Sequence, residues 1–239
     1  MVDFVATIST VFLAKSIIKN RRFIMTTEEI LHLVSMVVLA LCVVGFALVL
    51  TLGRKKSQSK EVVFAAVCIA MSFVLSFIKV KMGAEGGSVT LASFVPLILY
   101  SYVAGARKGF LAGALYGILQ IVEGGVWFVD VVQLLCDYIL AFTFIGLAPL
   151  FKNISKHKAV GVYVGTVVVI FMRFLMHTVA GIYFYPEMLF GEALVTSILY
   201  NGTYMLPELG ITVAVMAVLL HTGKFDYLTN YIKNAITAE

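Results

Sequence analysis

Residues 159–184 read AVGVYVGTVVVIFMRFLMHTVAGIYF, and this stretch decides the fold class. Arg173 and His177 are its only basic side chains, and it contains no acidic one. About 20 mostly apolar residues are enough for an α-helix to cross the hydrocarbon core of a bilayer. The stretch therefore predicts a membrane-spanning helix.

The same pattern recurs along the 239-residue chain, of which 61% is hydrophobic and only 13% charged. Soluble domains carry about 25% charged residues, so most of this surface is not expected to face water. Six further apolar runs cover residues 30–52, 61–80, 89–105, 108–123, 130–150 and 193–221. They are too long, and alternate too little, for the strands of a membrane barrel. The sequence predicts an all-α polytopic membrane protein.

Charged residues between the runs predict the orientation. One set of loops is basic and contains Arg54, Lys55, Lys56, Lys60, Arg107, Lys108, Lys152, Lys156, Lys158 and Lys224. The opposite loops contain Glu85, Glu123, Asp130, Glu187 and Glu192, and Glu123 is expected to be solvated there. Because cytoplasmic loops are rich in Lys and Arg, the C terminus is expected in the cytoplasm. The protein is expected to lie in the plasma membrane.

Three polar side chains are predicted at one depth inside the membrane. Asp137, His177 and Asn201 each lie seven to nine residues from the outer end of their run, roughly 10–13 Å deep at the helical rise. Polar groups at such depth either pair with one another or line a cavity. Their convergence from three helices predicts either an internal hydrogen-bond cluster or a ligand site.

Aromatic residues at the same level favour a ligand site. Trp127 (the single tryptophan), Tyr185 and Tyr200 all fall near the outer ends of these runs. A buried acid under aromatic rings suits a flat organic cation. The deeper Arg173 is expected to form a structural ion pair with Asp137 or Glu208, since a lone guanidinium in lipid is costly. The sequence assigns Glu208 no other role.

Gly105, Gly109, Gly113 and Gly117 recur every four residues. Small residues at this spacing allow two helices to approach closely, so the stripe is interpreted as helix packing.

Several activities lack their motifs. The sequence has no HExxH and no GxxxxGK[ST], so an intramembrane metalloenzyme and an intrinsic ATPase are disfavoured. The cysteines lie in apolar runs without zinc-ligand spacing, and neither a metal nor a cofactor is expected. Autonomous secondary transporters commonly consist of two related halves. This sequence shows no internal repeat, so that class of protein is disfavoured. The chain is expected not to be an enzyme.

Several long motifs follow one another in a recognisable order. They are GGSV at 86–89, GFLAGALYGILQ at 109–120, VQLLCDYILAF at 132–142, RFLMHTVAGIYF at 173–184 and SILYNGTYMLP at 197–207. From about residue 61 to 221 the sequence resembles the thiamine-specific S components of energy-coupling factor (ECF) transporters, the ThiT/YuaJ family. The resemblance implies a six-helix bundle that captures thiamine from outside with high affinity. It also implies a transmembrane coupling subunit and two cytoplasmic ATPase subunits as partners.

The resemblance also implies roles for individual residues. The implied ligand-binding residues are Asp137, His177, Asn201, Tyr185, Trp127, Tyr138, Tyr200 and Tyr116, and Ala66 and Ala70 are implied to dock on the coupling subunit. Some members have a binding tyrosine where this chain has Thr196, so either Tyr200 substitutes for it or the contact is lost. A first-loop tryptophan of some members corresponds to Gly87, so a different lid is expected.

Four regions are predicted from these observations. They are an unassigned segment 1–29, an extra membrane helix and basic linker 30–58, a six-helix substrate-binding domain 59–223 and a cytoplasmic tail 224–239. The alternative that stays open is an S component for another small vitamin or precursor.

Overall fold

The computed structural model describes residues 59–82, 87–124, 131–185 and 187–237. The N-terminal segment 1–29 and the predicted extra span and linker at 30–58 lie outside the described residues, as does Trp127. The described ranges cover most of the predicted six-helix region and most of the tail.

The described ranges are mostly helical, and their apolar runs form the helices. These are α1 (Ser59–Phe77), α2 (Val95–Ala104), α3 (Ala106–Gly124), α4 (Val131–Phe151), α5 (Lys158–Phe184), α6 (Phe190–His221) and α7 (Lys224–Thr237). Among them α1, α4, α5 and α6 are long and apolar enough to cross a membrane. The predicted all-α polytopic membrane fold is confirmed.

A β-hairpin replaces the ends of two predicted spans. Strands β1 (Lys79–Lys81) and β2 (Ser88–Thr90) pair antiparallel, with Val80 opposite Val89. The predicted runs 61–80 and 89–105 were therefore wrong at these ends. Helix α2 has ten residues, or about 15 Å at the helical rise, which is half of the hydrocarbon core. Pro96 lies in its first turn, where backbone N–H groups have no partner within the helix, so the missing N–H of proline costs no hydrogen bond.

Part of the predicted glycine stripe is a packing surface between α3 and α4. The interpretation is wrong for Gly105, which ends α2 at a φ of 89° and has no atom within 4 Å of a Cβ position. A Cβ on Gly113 would collide with the carbonyl oxygen of Phe142, and one on Gly117 with that of Tyr138. The two backbones approach this closely only because both positions lack a side chain. The interpretation of these two glycines as helix packing is confirmed.

A fully buried carboxylate anchors the hairpin to α6. Glu208 Oε2 accepts a hydrogen bond from the Thr90 backbone N–H at 2.5 Å, and Oε1 accepts one from Thr90 Oγ1 at 2.6 Å. Thr90 Oγ1 also lies 2.7 Å from Ser93 Oγ. Glu208 therefore has a structural role that the sequence did not assign.

Helix α7 closes the other end of the bundle. It packs against α1, α2 and α6, and its Phe225 is buried edge-on to Tyr102, with ring centroids 5.6 Å apart. Asp226 forms an ion pair with Lys158 at the start of α5. The bundle thus has a hairpin end, which carries β1 and β2, and an α7 end.

Candidate functional site

The hairpin end of the bundle encloses a cavity of about 640 Å³. Residues of the hairpin and of α3, α4, α5 and α6 line it, together with Phe77 at the end of α1. Six predicted ligand residues are among them: Asp137, Tyr138, His177, Tyr185, Tyr200 and Asn201. The structure therefore brings to one place side chains that the sequence spreads over 65 positions, from 137 to 201.

Asp137 lies on an irregular part of α4. Residues Leu135–Leu140 form a π-helix within this segment, and π-turns often occur at functional sites. The turn carries both Asp137 and Tyr138, which line the cavity. The Asp137 side chain is 20% exposed, so its carboxylate is partly open to the cavity.

A hydrogen-bond chain links Asp137 to α5. His177 Nδ1 lies 2.7 Å from Asp137 Oδ1, and Arg173 Nε donates to His177 Nε2 at 3.3 Å. A guanidinium group has only donors, so Nε2 is the accepting nitrogen and the imidazole proton lies on Nδ1. The Asp137 carboxylate is thus hydrogen-bonded to the neutral imidazole of His177. The guanidinium group of Arg173 is bonded to the other nitrogen of that imidazole.

Arg173 does not form the predicted ion pair. Among the described residues, its side chain has no carboxylate within 4 Å; Glu208 accepts from Thr90, and Asp137 accepts from His177. Its guanidinium carbon lies instead 4.8 Å and 4.9 Å from the ring centroids of Phe94 and Phe142. Two aromatic faces thus supply part of the stabilisation that an anion was expected to supply.

Asn201 is held by its own helix. Its Nδ2 donates to the Ser197 carbonyl oxygen at 2.8 Å and to Ser197 Oγ at 3.0 Å, while Oδ1 accepts from the Tyr204 hydroxyl. Tyr204 also stands edge-on to His177 and to Tyr200, with centroid distances of 6.1 Å and 5.7 Å. Sequence reasoning missed Tyr204, although it lies one turn after Tyr200.

Gly87 brings the hairpin into contact with these aromatic rings. Its backbone N–H donates to the Tyr200 hydroxyl at 2.8 Å. A Cβ at this position would lie 2.6 Å from Tyr204 Cδ1 and 2.9 Å from the Tyr200 hydroxyl oxygen. The absence of a side chain therefore allows the hairpin to rest on α6.

A second carboxylate, Glu123, lies in the cavity wall. The expectation that it is solvated was wrong, because its side chain is only 2% exposed. It forms an ion pair with Lys79 and accepts from Ser76 Oγ at 2.6 Å and Gln120 Nε2 at 2.9 Å. Its spacing of three residues from Gln120 was a signal, since this spacing places both side chains on one helix face.

Tyr116 does not line the cavity. It is 1% exposed and packs edge-on against Phe142 with a centroid distance of 5.0 Å, and against Phe94 at 6.5 Å. It therefore lies in the hydrophobic core, behind the rings that flank Arg173.

Comparison with known proteins gives the family. The sequence profile of the thiamine transporter protein family (Thia_YuaJ) matches residues 62–226, which is more than half of the chain. The chain belongs to this family. The predicted ThiT/YuaJ relationship is confirmed, and membership identifies a membrane transport protein rather than an enzyme.

Two relatives agree with this assignment. The chain is 29% identical over 183 residues to the thiamine transporter ThiT of Bacillus subtilis (strain 168), covering 70% of this chain and 95% of the relative. The solved structure of ThiT from Listeria monocytogenes matches with a TM-score of 0.60 and 25% identity, covering 71% of this chain and 96% of that one. Both matches extend over nearly the whole length of the relative.

Proposed function

We propose that this chain is the high-affinity thiamine-binding subunit of an ECF-type importer, which captures thiamine in the cavity at the hairpin end. The observation that carries the proposal is the Asp137–His177 pair in a cavity with tyrosines on several walls. A volume of about 640 Å³ lies within the usual 300–1,000 Å³ of small-molecule sites. Family membership supports thiamine as the ligand.

The charge distribution supports a cationic ligand beside Asp137. Two carboxylates line the cavity among the residues that the structure describes, and one of them, Glu123, already has the ammonium group of Lys79 as a partner. Asp137 contacts a neutral imidazole, so its negative charge is not cancelled by a contacting cation. A thiazolium ring beside it would supply that charge, and Tyr138, Tyr185 and Tyr200 offer aromatic surfaces nearby.

The hairpin end is proposed to face the outside, with the C terminus in the cytoplasm. Lys158 and Lys224 are the first residues of α5 and α7, and Lys108 lies in the first turn of α3, all towards the α7 end. The hairpin end carries Glu187 and Glu192 beside Lys79 and Lys81. An excess of Lys and Arg marks the cytoplasmic side of membrane proteins. This distribution supports capture of the ligand from outside.

Transport is proposed to require a transmembrane coupling subunit and two cytoplasmic ATPase subunits. Ala66 and Ala70 are exposed on α1, next to the exposed Val63 and Val67. Small residues on an exposed membrane helix permit close approach of another helix. This surface supports the prediction that α1 docks on the coupling subunit.

The test separates binding from transport. Isothermal titration of the purified chain with thiamine, riboflavin and biotin is expected to show tight binding of thiamine alone, without ATP or partners. Tight binding of another vitamin and none of thiamine would favour the alternative of an S component with a different substrate. Quenching of the single tryptophan, Trp127, gives a second readout.

The docking surface has its own test. Ala66→Trp with Ala70→Trp is expected to abolish thiamine uptake by the assembled transporter and to leave thiamine binding within about threefold, because neither residue lines the cavity. Val167→Trp, at an exposed position of α5, is the control for added bulk on a lipid-facing helix. Normal uptake by the double variant would show that this face is not the docking surface.

A further inference from the structure

The nitrogen of the Asn201 carboxamide is held by groups that accept. The Ser197 carbonyl oxygen lies 2.8 Å from Nδ2, and since a carbonyl has no proton to give, the amide atom that faces it is the nitrogen. Ser197 Oγ donates its own proton to the Thr178 carbonyl oxygen at 3.0 Å, so it accepts from Nδ2, which lies 3.0 Å away. Both N–H bonds of the Asn201 side chain are therefore used within the protein.

Tyr204 holds the oxygen of the same carboxamide. Its hydroxyl group donates to Asn201 Oδ1, because an amide oxygen has no proton of its own. Tyr204 is only 3% exposed and stands edge-on to His177 and to Tyr200, which keeps its ring in place. An amide oxygen has two lone pairs, and Tyr204 uses one of them. Asn201 lines the cavity, and what it can offer there is an acceptor and not a donor.

The network is anchored on two helices. Ser197, Asn201 and Tyr204 follow one another on α6 at spacings of four and three residues, which places them on one helix face. The bond from Ser197 to Thr178 reaches α5, where a Cβ on Gly181 would lie 2.1 Å from Ser197 Oγ. The missing side chain of Gly181 thus allows this bond. The orientation of the Asn201 carboxamide follows from the packing of α5 against α6.

We propose that Tyr204 and Ser197 are positioning residues that make Asn201 a fixed hydrogen-bond acceptor, and that Asn201 Oδ1 selects the exocyclic amino group of an aminopyrimidine over a carbonyl group at the same position. This selection rests on the proposed thiamine-binding function of the cavity. A carboxamide that could turn over would offer its N–H to a carbonyl as readily as its oxygen to an amine. A fixed carboxamide sets two acceptors against each other when the ligand carries a carbonyl, and neither then has a donor.

Titration of the purified full-length chain with thiamine and with oxythiamine tests the selection. In oxythiamine a carbonyl replaces the amino group of the pyrimidine. Both compounds carry the thiazolium charge, so the contribution of Asp137 cancels in the ratio of their Kd values. Wild-type protein is expected to bind thiamine about 5- to 150-fold more tightly than oxythiamine, as two facing acceptors imply.

Removing the bonds that hold the carboxamide is expected to reduce this ratio. Tyr204→Phe with Ser197→Ala keeps the aromatic ring and removes two of the three bonds, so the ratio is expected to fall below about threefold, mainly through weaker binding of thiamine. Tyr204→Phe alone is expected to give an intermediate ratio. Tyr227→Phe, on the exposed side of α7, is the matched control and is expected to leave the ratio unchanged.

Two titration results would overturn the proposal. Equal weakening of both compounds in the variants, with the ratio preserved, would show that Tyr204 and Ser197 support the fold of the site without setting its selectivity. A ratio near one in the wild-type protein would show that Asn201 Oδ1 does not distinguish the amino group.

Hydrogen exchange in the absence of thiamine separates this proposal from the proposed function. With ¹⁵N-labelled asparagine, NMR detects the side-chain N–H₂ signals of Asn201, which are assigned by their loss in Asn201→Asp. These hydrogens are expected to exchange at least about tenfold more slowly than those of the exposed Asn230, and at least about threefold faster in the double variant than in the wild type. Wild-type exchange as fast as that of Asn230 would refute the fixed carboxamide. If wild-type protein fails to bind thiamine, the proposed function fails, and this measurement still judges the carboxamide.

Discussion

Asp137→Asn is the substitution that most directly tests how the cavity selects a cation. Asparagine keeps the size of the side chain, and its Oδ1 can still accept from His177 Nδ1, which lies 2.7 Å from the carboxylate in the wild type. The link from His177 to Arg173 can therefore persist. What disappears is the negative charge that faces the cavity.

The expected loss follows from this geometry. A charge-assisted contact contributes about 1.5–3 kcal/mol, and an amide offers the thiazolium ring no such contact. Since 1.4 kcal/mol corresponds to one decade of Kd, thiamine binding is expected to weaken at least about tenfold. A neutral aminopyrimidine fragment is expected to lose much less, because it brings no fixed charge to the site.

Isothermal titration with thiamine and with the fragment measures both effects, and thermal unfolding checks the fold. Glu192→Gln is a suitable control because the residue is exposed and outside the cavity, whereas Glu123 is bonded within the wall. Equal losses for thiamine and the fragment would indicate a general defect of the site. No loss for thiamine would show that Asp137 is structural and that the cation lies elsewhere.

Two further substitutions test how the hairpin is seated. Gly87→Ala would place a Cβ 2.6 Å from the Tyr204 ring. Overpacking of about 1–3 kcal/mol is expected to weaken thiamine binding about five- to 150-fold in titration. Gly202→Ala, with open space around it, is the control, and an equal effect there would contradict the clash. Glu208→Gln places an amide N–H₂ against one of the two Thr90 donors and is expected to lower the unfolding free energy by about 1–3 kcal/mol. An unchanged unfolding midpoint in denaturant would show that this buried pair does not stabilise the fold.

Hydropathy and length alone determined the all-α membrane fold. In a bilayer core each backbone polar group needs a partner within the protein, so long apolar runs become helices. The runs 159–184 and 193–221 agree with α5 and α6 to within three residues at each end. The constant helical rise also predicted the common level of Asp137, His177 and Asn201, which the structure places in one cavity. Their contact with thiamine stays a prediction.

Only the tertiary structure decided which side chains become partners. Glu123 lies 47 residues from Ser76, and Glu208 lies 118 residues from Thr90, and spacing along one helix says nothing about such pairs. The sequence did not predict the hairpin either. Val80 and Val89 extend the apolar runs, so hydropathy does not show that α1 ends before Val80. Arg173 packs on phenylalanine faces rather than against an acid, because helix packing brings the rings of Phe94 and Phe142 to its guanidinium group. Burial and partner choice depend on how the helices pack, and packing brings together residues that the sequence keeps far apart.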